Sequence, residues 1–394
     1  MVLHSLKCAE QDGLRVNRVR RRCLAAAEGK ARVEMSDKGR ICTYIGANTV
    51  RGQGAHRSTL YDPEKTERVI LIKGGAGNGK STLMEKICRA AEKKHTVERV
   101  YCPSDPKSLD GMVCEELGFA MVDATPPHVW EAENHCLPEE YLSLSPYVSR
   151  AVLGRKRAVT ELSVSLKDQR ARAEKCIKAA FEADSELCGE VLTYADTGDL
   201  CSLGRELAKK YLGAAGEENC VYAPMKRRFI SAVSPGGTVN FSGTPYAICG
   251  EGTKTVAIRD RFGLSPFLLG AVVDEVQNRG LKVWGFFDPL VSSRLTGLAI
   301  PSAKLCFLPE DSAKEPLETA DTAEALPRGS REALCPRLEV LSSVKNALLD
   351  EAELRLGKCL ELHDRIEAEY RPYMDFEGLN ALGESLIAGL VGPG

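Results

Sequence analysis

Nine consecutive residues, Gly74, Gly75, Ala76, Gly77, Asn78, Gly79, Lys80, Ser81 and Thr82, satisfy the pattern G-x-x-x-x-G-K-[ST] through Gly74, Gly79, Lys80 and Ser81. At this chain's own residue frequencies, about 0.02 such matches are expected by accident over its length. Glycines in this pattern let the backbone curl so that successive N–H groups face an anion with no Cβ atoms between them. A lysine in the next position reaches the β- and γ-phosphates of a nucleoside triphosphate, and the hydroxyl after it offers a hard oxygen to Mg2+. The predicted chemistry is binding of a nucleoside triphosphate with Mg2+. ATP is the default, since no N-K-x-D guanine signature occurs, and GTP is kept as the second nucleotide.

Such a site also needs an acid at the end of a neighbouring strand to hold the metal through water. Gly118, Phe119, Ala120, Met121, Val122 and Asp123 form an apolar run ending in a carboxylate, so Ser81 and Asp123 are the expected Mg2+ residues. No acid directly follows Asp123, so the glutamate base of many ATPases is missing there. Asp105, just beyond the strand expected at 97–102, is the first candidate beside Lys80 for a catalytic role, against an ordinary place in a surface loop. Asp110, Glu115, Glu116 and His128 are weaker candidates, and Arg51 and Arg294 are candidate donors of a charge-stabilising guanidinium. His128, His135 and Cys136 lie close together but lack a further well-spaced ligand, so packing is the better reading.

The elements that must position these groups are legible around the loop. Arg68, Val69, Ile70, Leu71, Ile72 and Lys73 read as a buried strand. Leu83, Ile87 and Ala90 or Ala91 recur at helical spacing after the loop, with Glu85, Lys86 and Arg89 between them. Strand, glycine loop and helix in that order are the context a phosphate loop requires. Regions 149–212 and 341–370 carry helical stripes, each expected to fold as a hairpin or lid against the α/β half it follows.

The second half repeats the first in outline. Residues 45–52 match 230–237, 100–106 match 283–289, Gly111 matches Gly297, Lys175, Cys176 and Ile177 match Lys358, Cys359 and Leu360, and 203–207 match 382–386, all in one order and 179 to 186 residues apart. The copy is altered where the chemistry would be. Either residues 246–255 or Gly263, Leu264 and Ser265 stand for the loop, the first too short for the full pattern and the second without the lysine. Pro309 falls where Asp123 stands.

This organisation resembles an uncharacterised bacterial family of duplicated P-loop ATPase-like proteins. The likeness rests on residues 46–49 (GANT), 74–82, 104–111 (SDPKSLDG) and 122–128 (VDATPPH) and implies nucleotide binding at 74–82. The expected fold is α/β, with two tandem P-loop NTPase-like halves, the second degenerate, each followed by a helical region. The boundaries are a basic tail at 1–37, the intact-loop domain at 38–140, helices at 141–222, the degenerate domain at 223–312 and helices at 313–394.

Composition narrows the function classes. The chain has 394 residues, net charge −2 and 43% hydrophobic residues, which describes a multidomain globular protein and not one built to coat nucleic acid. The first forty residues hold ten Lys/Arg and five Asp/Glu and read as a solvated tail. Fifteen scattered cysteines read as reduced thiols of a cytoplasmic protein. Stretch 229–250 is uncharged throughout but is broken by Pro235, Gly236, Gly237 and Pro245, so no membrane span is expected. Three functions compete: an ATPase coupling nucleotide state to movement of the helical regions, a kinase for a small-molecule acceptor held near 105–110, and a nucleotide-gated interaction protein without turnover that binds an unidentified protein partner.

Overall fold

The computed structural model describes residues 33–34, 39–48, 56–125, 130–131, 139–213 and 223–391. The apolar run at 68–73 is strand β3 (Arg68–Lys73), buried at its four central residues as a strand covered on both faces must be. It lies in a six-stranded sheet of order β2 (Ile41–Thr43), β4 (Glu98–Cys102), β5 (Asp105–Cys114), β6 (Phe119–Asp123), β3 and β7 (Glu139–Ser143). A second six-stranded sheet has the order β8 (Lys226–Arg228), β12 (Trp284–Phe287), β13 (Leu295–Ile300), β14 (Leu305–Pro309), β11 (Lys254–Arg259) and β15 (Glu318–Asp321).

Strand for strand the two sheets agree in direction as well as order. In each, the third strand of the row is antiparallel to both neighbours and the other pairings are parallel. The molecule is mixed α/β, in keeping with two like halves. The sheets reach past the boundaries read from sequence: β7 continues to Ser143, and β15 lies within the region expected to be helical from 313. At the end of the basic tail, β1 (Val33–Glu34) pairs in parallel with β10 (Gly237–Asn240), which is antiparallel to β9 (Ser231–Ser234), making a third, small sheet.

The halves meet across a local two-fold axis. Tyr44 and Phe229, 185 residues apart, exchange both backbone hydrogen bonds, at 2.8 and 3.0 Å. Thr59 Oγ1 bonds both the N–H and the carbonyl of Arg227, at 3.2 and 3.3 Å; its counterpart Thr244 Oγ1 does the same to Cys42, at 3.0 and 2.7 Å. The rings follow suit, with Tyr44 stacked on Phe241 and Phe229 stacked on His56. Contacts that recur at one chain offset and run in reciprocal directions are those of a symmetric dimer, here built within one chain.

The helices depart from expectation in their partners. After β3 comes α1 (Lys80–Ala91), burying Leu83, Met84, Ile87, Cys88 and Ala91. The first helical region is α2 (Lys156–Leu192) and α3 (Thr197–Leu212). The second half adds α4 (Thr244–Cys249) and α5 (Ser265–Asn278), and the last region is α6 (Arg328–Tyr370) and α7 (Phe376–Val391). Helices α2 and α6 run antiparallel, as pairs Arg155–Glu369, Arg355–Gln169, Lys345–Asp184 and Arg337–Glu186 show. The start of α6 packs on its own half, with Leu334 and Leu338 in the core of the second half, but the closing helix of each region crosses over. Helix α3 packs on α5 of the second half, and α7 packs on α1 of the first. The reason is length: at 1.5 Å per residue, α2 spans about 55 Å and carries the chain across the molecule before the turn into α3.

Among the described residues no helix is long and apolar enough to cross a membrane. Stretch 229–250 becomes β9, β10 and the six-residue α4. The described cysteines are free thiols.

Candidate functional site

The chain leaves β3 at Lys73, bends through residues 74–79 and enters α1 at Lys80. Gly77 and Gly79 have φ of +72° and +79°, the left-handed region that only glycine enters freely. The loop is held by its own groups. Asn78, 5% exposed, sets its carboxamide nitrogen 3.3 Å from the Ala76 carbonyl, and its oxygen accepts from Gly75 N at 3.2 Å. Gly74 N donates to Thr125 Oγ1 at 3.2 Å.

Lys80 Nζ donates to the carbonyls of Gly74 and Gly75 at 2.6 and 2.9 Å and lies 3.6 Å from Asp123 Oδ2. Register explains the last contact, since Asp123 ends β6 directly beside Ile72 of β3. Its other oxygen, Oδ1, accepts from Thr125 N at 2.8 Å, which fixes the orientation of the carboxylate. Ser81 Oγ accepts the Leu109 N–H at 2.8 Å, tying α1 to β5. Thr82 is exposed. The structure thus brings together Lys80, Asp123 and the loop amides, with Ser81 one residue along the helix.

Other residues singled out from the sequence go elsewhere. Asp105 accepts from Lys107 N at 3.2 Å and from the Ser108 hydroxyl, a turn-forming use, and among the described residues it makes no bond to the loop. Glu115 pairs with Lys226 and Lys282 across the halves. Glu116 binds His95 and the Thr96 amide. Asp110 is buried. Arg294 is engaged by Asp184, which α2 brings across from the first helical region, and this turns it away from service at the 74–82 loop. Arg51, His128, His135 and Cys136 lie outside the described residues.

Sequence reasoning missed the residues that cover the loop. Gly77 N donates to Glu367 Oε1 at 3.1 Å, and a Cβ at Gly77 would stand 3.1 Å from the Glu367 Cα. Leu379 of α7 lies against Gly79. A signal for Glu367 existed: the offset that matches Lys175 with Lys358 also matches Asp184 with Glu367. Each carboxylate crosses to the loop end of the opposite half. Asp184 binds Arg294 and Lys345; burial pushes its carboxyl up, and the two cations more than reverse this, holding it below the usual range. Beside Glu367, the ligand atoms of His363, Asp364 and Glu367 fall within 4.8 Å of one another on a partly exposed helix face.

The second half resolves which segment stands for the loop. Strand β11 leads through residues 260–264 into α5, with Ile258 beside Pro309 as Ile72 is beside Asp123. Gly263, with φ of +77°, Leu264 and Ser265 therefore occupy the places of Gly79, Lys80 and Ser81, whereas 246–255 supplies part of α4 and the start of β11. Ser265 Oγ donates to the Leu295 carbonyl at 3.0 Å where Ser81 Oγ accepts from the Leu109 N–H, so each serine ties its helix to the matching strand by a bond of opposite direction. The amides at the start of α5 are already taken: Leu264 N and Ser265 N each donate to the Asp260 carboxylate at 2.8 Å. An internal carboxylate thus satisfies the free amides of this helix start.

Comparison with family models, with curated proteins and with solved structures gives no match for this chain.

Proposed function

We propose that the 74–82 loop binds a nucleoside triphosphate, ATP by default, together with Mg2+, and that the chain is an ATPase coupling nucleotide state to movement of α6 and α7. The observation that carries this reading is the Gly77 amide held by Glu367 at 3.1 Å. A phosphate seated in the loop would compete with that carboxylate for one donor and would repel it. Binding and release of the triphosphate are thereby linked to the position of the last two helices.

The residues fit the roles asked of them. Lys80 already rests over the loop carbonyls and would turn its ammonium to the β- and γ-phosphates, relieving charge that builds up during phosphoryl transfer. Amides of residues 77–82 and the positive end of α1 add to that stabilisation. Ser81 Oγ and Asp123 Oδ2 are hard oxygens of the kind Mg2+ takes, and when bound the ion would neutralise phosphate oxygens. Leu379, packed at Gly79, would limit water at the loop while α7 is seated. Asp105, engaged in its own turn, gains no support as a base. The second half, with Asp260 over its helix start and Pro309 in the place of Asp123, is read as the degenerate copy.

Thermal unfolding of wild type and Lys80→Ala, with ATP or GTP and with or without Mg2+, tests this. Nucleotide at 100 times its dissociation constant is expected to stabilise wild type by about 2.7 kcal/mol and to leave the variant near its ligand-free stability. Equal shifts in both proteins would remove Lys80, and with it the site, from the argument. Phosphate release then separates turnover from binding.

A further inference from the structure

Phosphoryl transfer spreads charge over the γ-phosphate oxygens, and an arginine is the usual group that neutralises it. Helix α6, which sets Glu367 on Gly77, carries one a single turn further along. Arg371 caps that helix with φ of −51° and ψ of −42°, helical values, so the face on which Glu367 lies continues through it. Four residues make about 6 Å of helix, a span that an arginine side chain covers. Arg371 is exposed, and among the described residues its guanidinium makes no hydrogen bond or ion pair. Nearby cations are engaged: Arg155 with Glu369, Lys86 with Glu384 and Lys73 with Glu131.

The second half shows where that position points. The offset that matches Asp184 with Glu367 also matches Cys188 with Arg371. Cys188 Sγ would stand 3.1 Å from a Cβ at Gly263, the counterpart of Gly79, and the guanidinium carbon of Arg294 would stand 3.6 Å from the same Cβ. A guanidinium thus has room at that glycine. In the first half Leu379 of α7 takes the place, 3.2 Å from a Cβ at Gly79.

We propose that Arg371 is the catalytic arginine of the 74–82 site and enters as Glu367 and Leu379 leave, an inference that rests on the loop binding ATP. A seated triphosphate displaces Glu367 from Gly77 N, and the next turn of the same helix then offers a cation where an anion stood. In the reaction a water oxygen bonds to the γ-phosphorus, the bond from that phosphorus to the β–γ bridging oxygen breaks with its electron pair passing to ADP, and a proton of the water leaves to solvent. Arg371 donates to the γ-phosphate and bridging oxygens as this charge moves. Hydrolysis is thereby confined to the arrangement in which α7 has moved.

Calorimetric ATP binding and phosphate release are measured on the full chain as wild type, Arg371→Ala and Arg365→Ala, the last removing an exposed cation from another face of α6. Arg371→Ala is expected to lower kcat about 10³-fold. Its dissociation constant for ATP should stay within about threefold, the split that marks a contact made in the transition state. Arg365→Ala should behave as wild type. Thermal unfolding supplies a readout without turnover: aluminium fluoride, which completes a mimic of the transferring phosphoryl group on ADP and Mg2+, should stabilise the wild-type complex further and leave that of Arg371→Ala unchanged. The proposal is overturned if Arg371→Ala turns over as wild type does, if its ATP affinity falls as far as its kcat, if Arg365→Ala is slowed equally, or if aluminium fluoride stabilises Arg371→Ala as it does wild type. ATP binding to wild type without phosphate release would also overturn it and leave the nucleotide site standing, whereas no ATP binding at all would remove both.

Discussion

The contact between Glu367 and Gly77 sets a carboxylate against the one loop in the chain patterned for an anion. If the two compete, removing the carboxylate favours the nucleotide. Glu367→Ala is expected to raise ATP affinity about 2- to 10-fold, the range of a net hydrogen bond, and Glu367→Gln to raise it less because the amide oxygen still accepts from Gly77 N. Calorimetric titration checks both, and unchanged or weaker binding in Glu367→Ala would argue that the contact only packs α6. Gly77 is constrained twice, by its positive φ and by the Glu367 backbone 3.1 Å from a Cβ. Lys80 and Asp123, 14% and 12% exposed, need no rearrangement of the sheet to face a ligand, since their separation is fixed by the β3–β6 register.

The exchange of helical regions turns on two glycines at matching places. Gly204 lets α3 lie on α5 so closely that a Cβ would stand 2.3 Å from the Leu268 carbonyl, an atom fixed by the α5 backbone. Gly383 does the same for α7 on α1, but its nearest neighbour is the Leu83 side chain at 3.2 Å, which has rotamers to yield. Gly204→Ala is therefore expected to destabilise by about 1–3 kcal/mol. Gly383→Ala should cost clearly less, and chemical denaturation of the two variants measures the difference. Equal losses would mean that the α7 packing is as unyielding as that of α3. On the proposed function this inequality has a purpose: α7 lies over the nucleotide loop and must move, whereas α3 covers the half with no phosphate to admit.

At the scale of the molecule the halves are joined by a buried ion pair at their interface. Arg228 of β8 binds Glu98 of β4, 0% and 4% exposed, and also takes the carbonyls of Thr59 and Leu60 at 2.9 Å. Burial pushes the Glu98 carboxyl up, but the charge and hydrogen bonds of Arg228 more than reverse this and hold it below its ordinary 4.5. A depressed carboxyl contributes stability that is present above its unfolded value and lost as pH falls through the folded one. The halves should thus separate or unfold more readily below about pH 4.5, and thermal scans across pH 3–7 would show it. Arg228→Met leaves Glu98 buried without its cation and should cost about 3–5 kcal/mol near neutral pH, with part of the loss recovered when Glu98→Gln is added. A single variant as stable as wild type would show that water already reaches the pair.

Local signals carried much of this architecture. The 68–73 run, the glycine loop and the apolar spacing of α1 are contiguous, so short-range sterics and burial specify them without help from distant residues. The duplication was legible because both copies keep turn and strand residues in one order. Asp123 was legible too, since the end of an apolar run marks a strand end. What tertiary structure decided was which segments meet. Sequence placed the helical regions beside their own halves, but the length of α2 and α6 sends the closing helices α3 and α7 to the opposite ones, and a helix stripe does not name its partner. For the same reason Glu367, nearly three hundred positions from Gly77, left no local mark. Asp105 and Arg294 read as candidates by type, and only the fold gives them a turn and a buried carboxylate as partners. The sequence by itself determined a glycine loop between a strand and a helix, and the repeat of its surroundings; the packing of long helices across a two-fold axis decided what lies over that loop, because contacts between distant segments depend on geometry that neither segment encodes alone.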